Sequence, residues 1–458
     1  MNFKSTLLSL YNNMPPRFRH IDTCYNKVHD FYNEAQWWGR EKIEEWQLKR
    51  LQTMVRFAYE NTNGYRQLYN EAKVSPNDIR SLNDIRLLPF TSKELLRDNI
   101  DDFTVSKKNG LYRTSTGGST GKPFTFYADK KNSMAEYGFM YNAWASIGWN
   151  ESDIGVALRG QYIGDNDHLI KKTGYHRYAL TASFMTDANY GKYMELIAET
   201  KATFLHVYPS TLTDFSHLIV KNHDEGKLGI KHIFLGSENL YIWQKEIIKR
   251  AFPEARLMSW YGHTERALWA PWCEKEECYH LNPFYGYGEI LNGDKDVEEG
   301  EVGELVGTAF WMFGTPFIRY RTNDFAEKGQ DHCDRCGRQF QMINHIDGRL
   351  SEIIIGKTGR RISLTVFAGS IMHGKTFDHI RQFRFIQKEK GRLILTIVPS
   401  DAFDDDDLVF LKQGLNNFLG EDFVYEISMV DVLAKTKSGK FSYLEQHLPV
   451  ERADNINY

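Results

Sequence analysis

Apolar and polar positions follow a helical rhythm through the first hundred residues. Across residues 41–51 and 51–69, apolar side chains recur every three or four positions between charged ones, which predicts amphipathic helices. Residues 88–94 predict an extended segment that leads into a helix, with Thr91 or Ser92 as its N-cap. The N-terminal part of the chain is therefore expected to be mainly helical.

From about residue 110 the pattern changes to short apolar runs separated by helical stretches. The apolar runs cover residues 154–158, 203–207, 230–235 and 256–260, and the helical stretches include residues 192–200 and 242–252. Strands that alternate with helices predict an α/β sheet, which binds its ligands at the carboxyl ends of the strands. Two loops with unusual polar residues follow such strands, at positions 236–239 and 261–265.

The last hundred residues predict a small α+β domain that begins near residue 350. Strand-like segments cover residues 382–387, 392–398 and 423–430. A helical segment covers residues 408–419. Aspartates at 404–407 place negative charge where the helix begins, and Gly420 suits a left-handed cap where it ends. The acidic run therefore predicts a helix start rather than a binding site for a partner.

Composition excludes several classes of protein. The chain has 57 Lys and Arg against 60 Asp and Glu, a formal charge of −3, which gives no overall electrostatic case for binding nucleic acid or an anionic membrane. No apolar run approaches the ~20 residues that span a bilayer, and the N-terminus lacks a signal-peptide core. Five cysteines, an odd number, favour the reducing cytoplasm over a disulfide framework.

A glycine- and hydroxyl-rich loop at residues 114–123 is the most informative stretch. Glycines let backbone N–H groups turn toward a polyphosphate, hydroxyls add hydrogen bonds, and a lysine adds charge. The candidate phosphate-binding residues are Thr116, Gly117, Gly118, Ser119, Thr120, Gly121 and Lys122. A kinase P-loop is excluded because Thr116 stands where its first glycine is required, and Pro123 replaces its magnesium-binding hydroxyl.

This loop resembles the phosphate loop of the adenylate-forming superfamily, and five further signatures follow in that superfamily's order. They are Gly236-Ser237-Glu238, Tyr261-Gly262-His263-Thr264-Glu265, Tyr320-Arg321-Thr322-Asn323-Asp324, Gly348-Arg349 and Ser438-Gly439-Lys440. Asn323 departs from the pattern, because the superfamily has glycine there. The signatures together span residues 114–440.

Within the superfamily, the chain is most similar to the phenylacetate–CoA ligase group, in the CapK-like branch associated with capsular polysaccharide biosynthesis and with adenylation of a deazaflavin cofactor. The residues that carry this likeness are Leu88-Pro89-Phe90-Thr91, the cysteines before Tyr320, and Gly359-Arg360 with Ile362-Ser363. The resemblance implies an α/β fold: a large N-terminal adenylate-forming domain with β-sheets flanked by helices, and a small mobile α+β C-terminal domain. The expected divisions are a helical part at 1–110, a core at 111–349 with a cysteine-rich insert at 273–336, and a C-terminal lid at 350–458.

The resemblance also implies the reaction. An enzyme of this kind uses ATP and Mg²⁺ to convert a carboxylic acid into an acyl-adenylate, releases pyrophosphate, and passes the acyl group to CoA or another acceptor. Residues 119–122 would hold the β- and γ-phosphates and Gly236, Ser237 and Glu238 would lie beside the adenine.

Six further residues take roles from the motifs by the same resemblance. Tyr261, which precedes Gly262, would pack on adenine, Thr264 would touch the α-phosphate, and Glu265 would ligate Mg²⁺. Asp324, with Arg349 near it, would bind the ribose hydroxyls. Lys440 would stabilise charge at the α-phosphate.

Two positions and one loop limit what the motifs imply. His263 lies at a variable motif position and has a structural or substrate-pocket role as readily as a catalytic one. Ser351 stands where the family usually has a hinge Asp or Lys. The loop at 356–359 lacks the usual pattern of phenylacetate–CoA ligases, which puts CoA as the acceptor in doubt.

Paired cysteines predict a structural zinc site. Cys273 and Cys278 form one pair and Cys333 and Cys336, spaced as Cys-x-x-Cys, form the other, so that four thiolates can complete a tetrahedral site. His280 is an alternative fourth ligand in place of Cys278, and His332 is another neighbour. Four small buried thiols without metal remain the competing interpretation.

Two other functions compete with the acyl ligase. One is an adenylyltransferase, or an acyl or amide ligase that acts in polysaccharide biosynthesis without CoA. The other is a zinc-stabilised binding module without catalysis, which has no use for Glu265, Asp324 and Lys440 together. The sequence names neither the acid nor the oligomeric state.

Overall fold

The structure is a computed structural model. It describes residues 10–11, 13–14, 18, 24–107, 109–116, 124–159, 169–182, 184–372, 377–435 and 440–450. The chain divides into two compact units, of which the first comprises 1–14, 151–259 and 347–458 and the second comprises 15–150 and 260–346. Each unit is thus built from separate stretches of sequence. The predicted divisions at residues 110 and 349 stay predictions.

The part of the second unit before residue 150 is mainly helical, as its apolar spacing predicts. The helices are α1 (Cys24–Ala35), α2 (Arg40–Asn61), α3 (Asn63–Glu71), α4 (Lys93–Asp98) and α5 (Lys130–Ser146), with 3₁₀ turns at Pro76–Asp78 and Leu82–Leu87. Thr62 breaks the predicted helical stretch between α2 and α3 because its backbone is extended, and its side chain caps α3. Ser92 rather than Thr91 caps α4, by accepting from the Leu95 N–H.

A hairpin in the same unit leads into and out of the predicted phosphate loop. Strand β1 (Leu111–Ser115) pairs antiparallel with β2 (Thr125–Asp129). Side chains from this hairpin, α2 and α3 share a buried core that includes Leu51, Tyr65 and Phe126. The hairpin is therefore anchored on its buried face.

Residues 151–262 alternate between strand and helix, as predicted. The elements are β3 (Gly155–Arg159), β4 (Ile170–Gly174), β5 (Arg177–Thr181), α6 (Tyr190–Thr200), β6 (Phe204–Val207), α7 (Pro209–Lys221), β7 (His232–Leu235), α8 (Ile242–Ala251) and β8 (Arg256–Gly262), with a 3₁₀ turn at Asp187–Asn189. The strands lie in the order β4-β5-β3-β6-β7-β8, all parallel to their neighbours except β4. The loop after β7 therefore lies at the carboxyl edge of the sheet, where ligands are expected.

The second unit continues from the end of β8 with a mostly antiparallel sheet. Its strands are β9 (Trp269–Pro271), β10 (Tyr279–His280), β11 (Gly286–Asn292), β12 (Lys295–Asp296), β13 (Val302–Ala309), β14 (Tyr320–Lys328) and β15 (Met342–Arg349). Strands β10 to β15 lie in the order β10-β15-β14-β13-β11-β12, and β9 pairs with the end of β8. The motif that ends in Asp324 is therefore part of a central strand.

Residues after 347 form the predicted α+β region. Its elements are a 3₁₀ turn (Leu350–Glu352), β16 (Ile353–Ile355), β17 (Arg361–Ser363), α9 (Leu364–Ile371), β18 (Ile380–Glu389), β19 (Arg392–Pro399), α10 (Asp405–Leu419), a second 3₁₀ turn (Gly420–Asp422), β20 (Val424–Met429) and β21 (Leu444–Gln446). The side chain of Asp404 caps α10 at its start, and Gly420 ends it with φ +57°. The acidic run is a helix start, as predicted.

These elements confirm the predicted fold class. Both units combine β-sheets with packed helices, and the C-terminal region has its own four-stranded sheet in the order β20-β19-β18-β21. Within the described ranges, no helix is both long and apolar enough to cross a membrane.

Candidate active site

A pair of hydrogen bonds joins the two residues that flank the predicted phosphate loop. The Thr116 N–H donates to the carbonyl of Phe124 at 2.9 Å, and the Phe124 N–H donates to the Thr116 hydroxyl at 3.2 Å. Thr116 and Phe124 are both buried, and their pairing continues the β1–β2 hairpin by one residue on each strand. The other predicted phosphate ligands, residues 117–122, lie outside the described residues.

Tyr261 and Asp324 meet in the second unit although they are 63 positions apart. Tyr261 is the penultimate residue of β8, and its hydroxyl donates to Asp324 Oδ2 at 2.8 Å. Both side chains are buried, and Asp324 lies on the central strand β14. The structure therefore joins the two motifs to which we assign the adenine and the ribose.

Glu265 is buried and its carboxylate accepts two hydrogen bonds. Tyr320 donates its hydroxyl to Oε1 at 3.0 Å, and His263 Nδ1 lies 3.2 Å from Oε2. Burial opposes ionisation, but these two partners outweigh it and lower the pKa of Glu265 to about 2. The side chain is therefore a fixed negative charge at neutral pH, with lone pairs left for a hard cation such as Mg²⁺.

His263 holds that carboxylate in place. The Leu268 N–H donates to Nε2 of His263 at 3.3 Å, so Nε2 is the acceptor nitrogen and Nδ1 carries the proton that Glu265 accepts. His263 is thus a positioning residue, which agrees with the structural role left open for it. Its two-residue spacing from Glu265 was the only sequence signal for the contact.

Arg266 anchors the turn that follows the motif. Its guanidinium donates to Asn132 Oδ1 at 2.5 Å and forms an ion pair with Glu136 at 2.8 Å, both on α5. Its backbone has φ +54°, so the chain reverses sharply there. Sequence reasoning missed this residue because its partners lie about 130 positions earlier.

Thr264 is exposed at this turn, where it is accessible to a ligand.

The departure at Asn323 has a conformational explanation. Its backbone has φ +60°, the left-handed region in which glycine is free of strain and Asn is among the best-tolerated other residues. Its N–H donates to Glu304 Oε1 at 3.2 Å. Asn therefore preserves the turn of the motif and leaves Asp324 in place.

The loop Gly236-Ser237-Glu238, which we predict to lie beside the adenine, belongs to the first unit and surrounds a partly buried carboxylate. Glu238 accepts from the backbone N–H of Ser210 at 2.9 Å and from its hydroxyl at 3.0 Å. Burial nevertheless raises the pKa of Glu238. Ser237 precedes it with φ +70°, which turns the backbone at the end of β7. The loop is therefore held by the N-terminus of α7.

Lys440 contacts this same loop. Its Nζ donates to the backbone carbonyl of Ser237 at 2.7 Å and lies 5.4 Å from the centre of the Tyr208 ring. Both contacts fall within the first unit. Lys440 is therefore next to the residues that we expect beside the adenine, across 203 positions of sequence.

Arg349 is exposed at the end of β15, and its N–H donates to Glu352.

Three of the predicted metal-binding cysteines and the alternative ligand His280 converge in the second unit. Cys273, His280, Cys333 and Cys336 bring one sulfur or nitrogen atom each to within 4.8 Å of the others. Cys278 is buried close by, but its sulfur is not one of those four atoms. The structure therefore groups three predicted cysteines with His280, which was the alternative to Cys278.

Comparison with known proteins finds sequence relatives in the group that the motifs indicate. Residues 354–447 match the family model for the CapK C-terminal domain. The Staphylococcus aureus protein CapK is 22% identical over 404 residues, which is 86% of this chain and 87% of that protein. The phenylacetate–coenzyme A ligase of Escherichia coli K12 is 27% identical over 341 residues, 69% of this chain and 73% of that enzyme.

Solved structures give the same fold. The crystal structure of 2-hydroxyisobutyryl-CoA ligase in its postadenylation state, in complex with R3-HIB-AMP, superimposes with a TM-score of 0.75 at 17% identity and covers 95% of this chain and 94% of that one. The chain therefore has the fold of the adenylate-forming ligases. Its sequence relatives lie in the phenylacetate–CoA ligase group and include CapK, as the motifs indicate.

Proposed function

We propose that this protein is an adenylate-forming ligase that activates a carboxylic acid with ATP. The observation that carries the proposal is the contact between Tyr261 and Asp324, because it joins two separate nucleotide motifs at one buried position. Glu265 adds a fixed negative charge four residues after Tyr261. The sequence relatives named phenylacetate–coenzyme A ligase support the same reaction class.

The reaction begins when a carboxylate oxygen attacks the α-phosphorus of ATP. The bond from that phosphorus to the bridging β-phosphate oxygen breaks, and pyrophosphate leaves with the electron pair. The product is an acyl-adenylate, a mixed anhydride from which AMP departs readily. Because the attack brings negative charge to a negative triphosphate, positioning and charge stabilisation supply most of the catalysis.

Each motif has a role in this scheme. Residues 119–122 hold the β- and γ-phosphates, Asp324 accepts from the ribose hydroxyls, and Lys440 stabilises charge at the α-phosphate. Glu265 would hold Mg²⁺, which would neutralise phosphate charge when bound. The free lone pairs of the Glu265 carboxylate and its low pKa suit such a cation.

The acyl acceptor is the finer part of the proposal. CapK matches 86% of the chain, the phenylacetate–CoA ligases match 69%, and the C-terminal region matches the CapK family model. The likeness to the phenylacetate–CoA ligases leads us to propose CoA as one acceptor. The likeness to CapK leads us to propose, as the second candidate, an amine or hydroxyl on a polysaccharide precursor. An adenylyltransferase that stops after AMP transfer is the third outcome to be tested.

We also propose a cytoplasmic location, where ATP is available and thiols stay reduced. The clustered cysteine and histidine side chains then hold a structural Zn²⁺, whose ligands are argued below. The closed set of four ligands leaves no position for a substrate.

The deciding experiment is ATP–pyrophosphate exchange with a panel of carboxylic acids. Exchange that depends on one class of acid is the expected result, and Lys440→Ala should abolish most of it. Lys435→Ala is the matched control, because Lys435 pairs with Asp214 at 2.6 Å and has no assigned role. AMP transfer that proceeds without any acid would overturn the ligase and support the adenylyltransferase. Product analysis with and without CoA then identifies the acceptor.

A further inference from the structure

We propose that Cys273, His280, Cys333 and Cys336 bind one Zn²⁺, with Cys278 outside the coordination shell. This ligand set differs from four cysteines, which the spacing of the cysteines alone predicts. The proposal concerns metal binding and does not depend on the adenylation reaction.

Two distances between ligand atoms match those in a zinc tetrahedron, and all four atoms lie within 4.8 Å of one another. Cys273 Sγ and Cys333 Sγ are 3.9 Å apart, and Cys336 Sγ is 3.6 Å from His280 Nε2. Zinc–sulfur bonds of ~2.3 Å and zinc–nitrogen bonds of ~2.0–2.1 Å at tetrahedral angles require separations of about 3.8 Å and about 3.6 Å. A disulfide is excluded as the explanation because its sulfurs would be ~2.05 Å apart.

Each ligand is presented by an ordered piece of backbone. Cys333 and Cys336 lie on a tight turn in which the Gly337 N–H donates to the Cys333 carbonyl at 2.8 Å, with Gly337 at φ +84°. The Lys275 N–H donates to Cys273 Sγ at 3.3 Å, which suits a sulfur that carries negative charge. His280 is fixed on β10, where it pairs with Met342 of β15.

The surroundings also fit a metal with three thiolates, whose net charge is −1. Arg338 lies two residues after Cys336 and brings a buried positive charge to the same turn. It forms an ion pair with Glu274 at 2.9 Å and donates to Gln36 Oε1 at 2.8 Å, which links the turn to the C-terminal end of α1. Partners of this kind orient and stabilise metal ligands.

The position of the cluster gives the metal a structural role. Cys273 follows β9, whose Ala270 pairs with Tyr261, while Cys333 and Cys336 follow β14, which carries Asp324. A metal bound to both segments ties the loops that continue from the two nucleotide motifs. The site is closed and mostly buried, so it stabilises rather than reacts.

The test is zinc content in the full-length protein, loaded with zinc sulfate under reducing conditions and then dialysed. About one zinc per chain is expected by elemental analysis. Cys336→Ser and His280→Ala should each weaken zinc retention against a competing chelator by more than about 10-fold. Cys278→Ser and Cys24→Ser are the matched controls and should keep the full metal content.

Three results would overturn the proposal. Wild-type protein without zinc after this loading would exclude the site. Loss of zinc from Cys278→Ser together with retention in His280→Ala would establish four cysteines instead. Retention in both His280→Ala and Cys336→Ser would exclude this ligand set. Absence of zinc from the wild type, or loss of zinc from a folded Cys278→Ser protein, contradicts the proposal without any ligand variant, so misfolding of a ligand variant cannot hide a failure.

Discussion

The contact between Tyr261 and Asp324 gives the sharpest test of the nucleotide site. Replacing Asp324 with Ala removes the proposed acceptor for the ribose hydroxyls. A hydrogen bond to a charged group contributes ~1.5–3 kcal/mol. Because 1.4 kcal/mol is tenfold in affinity, the variant should bind ATP about 10- to 150-fold more weakly.

The same replacement has a separate cost in stability. The buried Tyr261 hydroxyl loses its charged acceptor at 2.8 Å, and a hydrogen bond to a charged group contributes ~1.5–3 kcal/mol to the free energy of unfolding. Tyr261→Phe removes that hydroxyl while it keeps the aromatic ring and the Asp324 carboxylate. It should lose stability but bind ATP within about threefold of the wild type, since less than ~0.7 kcal/mol of binding is at stake.

The assay is calorimetric titration with ATP and Mg²⁺, together with a thermal unfolding curve for each variant. Asp324→Asn completes the set, because it keeps an acceptor for Tyr261 and removes the charge. Its affinity should fall between those of the wild type and Asp324→Ala. A folded Asp324→Ala protein with unchanged ATP affinity would refute the ribose assignment.

Three further predictions test other parts of the site. Lys440→Ala should slow adenylation by ~10²-fold or more while ATP affinity changes far less, because the charge acts on the transition state. Stopped-flow adenylation rates equal to those of Lys435→Ala would contradict this prediction. Glu265 has a folded pKa of about 2, below its usual 4.5, so its stabilising effect is present above pH ~4.5 and is lost as pH falls toward 2. Glu265→Gln should therefore lower the unfolding temperature more at pH 7 than at pH 4, and an equal effect at both would contradict the low pKa. Asn323→Val should destabilise the protein by ~1–2 kcal/mol in urea unfolding because of its left-handed backbone, whereas Asn323→Gly should be nearly neutral.

The sequence by itself determined the elements and the order of the motifs. Periods of three to four and short apolar runs depend on local geometry, so they located α2, the parallel strands β3, β6, β7 and β8, and α10 closely. The parallel strand β5 was not predicted. The sequence relatives confirm the family resemblance, and the solved structures confirm the fold class. Both could be predicted because the order of the motifs and of the elements is a property of the chain itself. The roles of the individual site residues stay predictions.

Tertiary structure alone decided which side chains meet. Tyr261 reaches Asp324 because β8 and β14 bring them together, and no local pattern encodes a contact between residues 63 positions apart. His280 joins the three clustered cysteines in place of Cys278 because pairing between β10 and β15 sets its position, whereas cysteine spacing favoured four thiols. Sequence spacing specifies backbone conformation over a few residues, but strand pairing and packing fix the positions of side chains that are far apart in the chain.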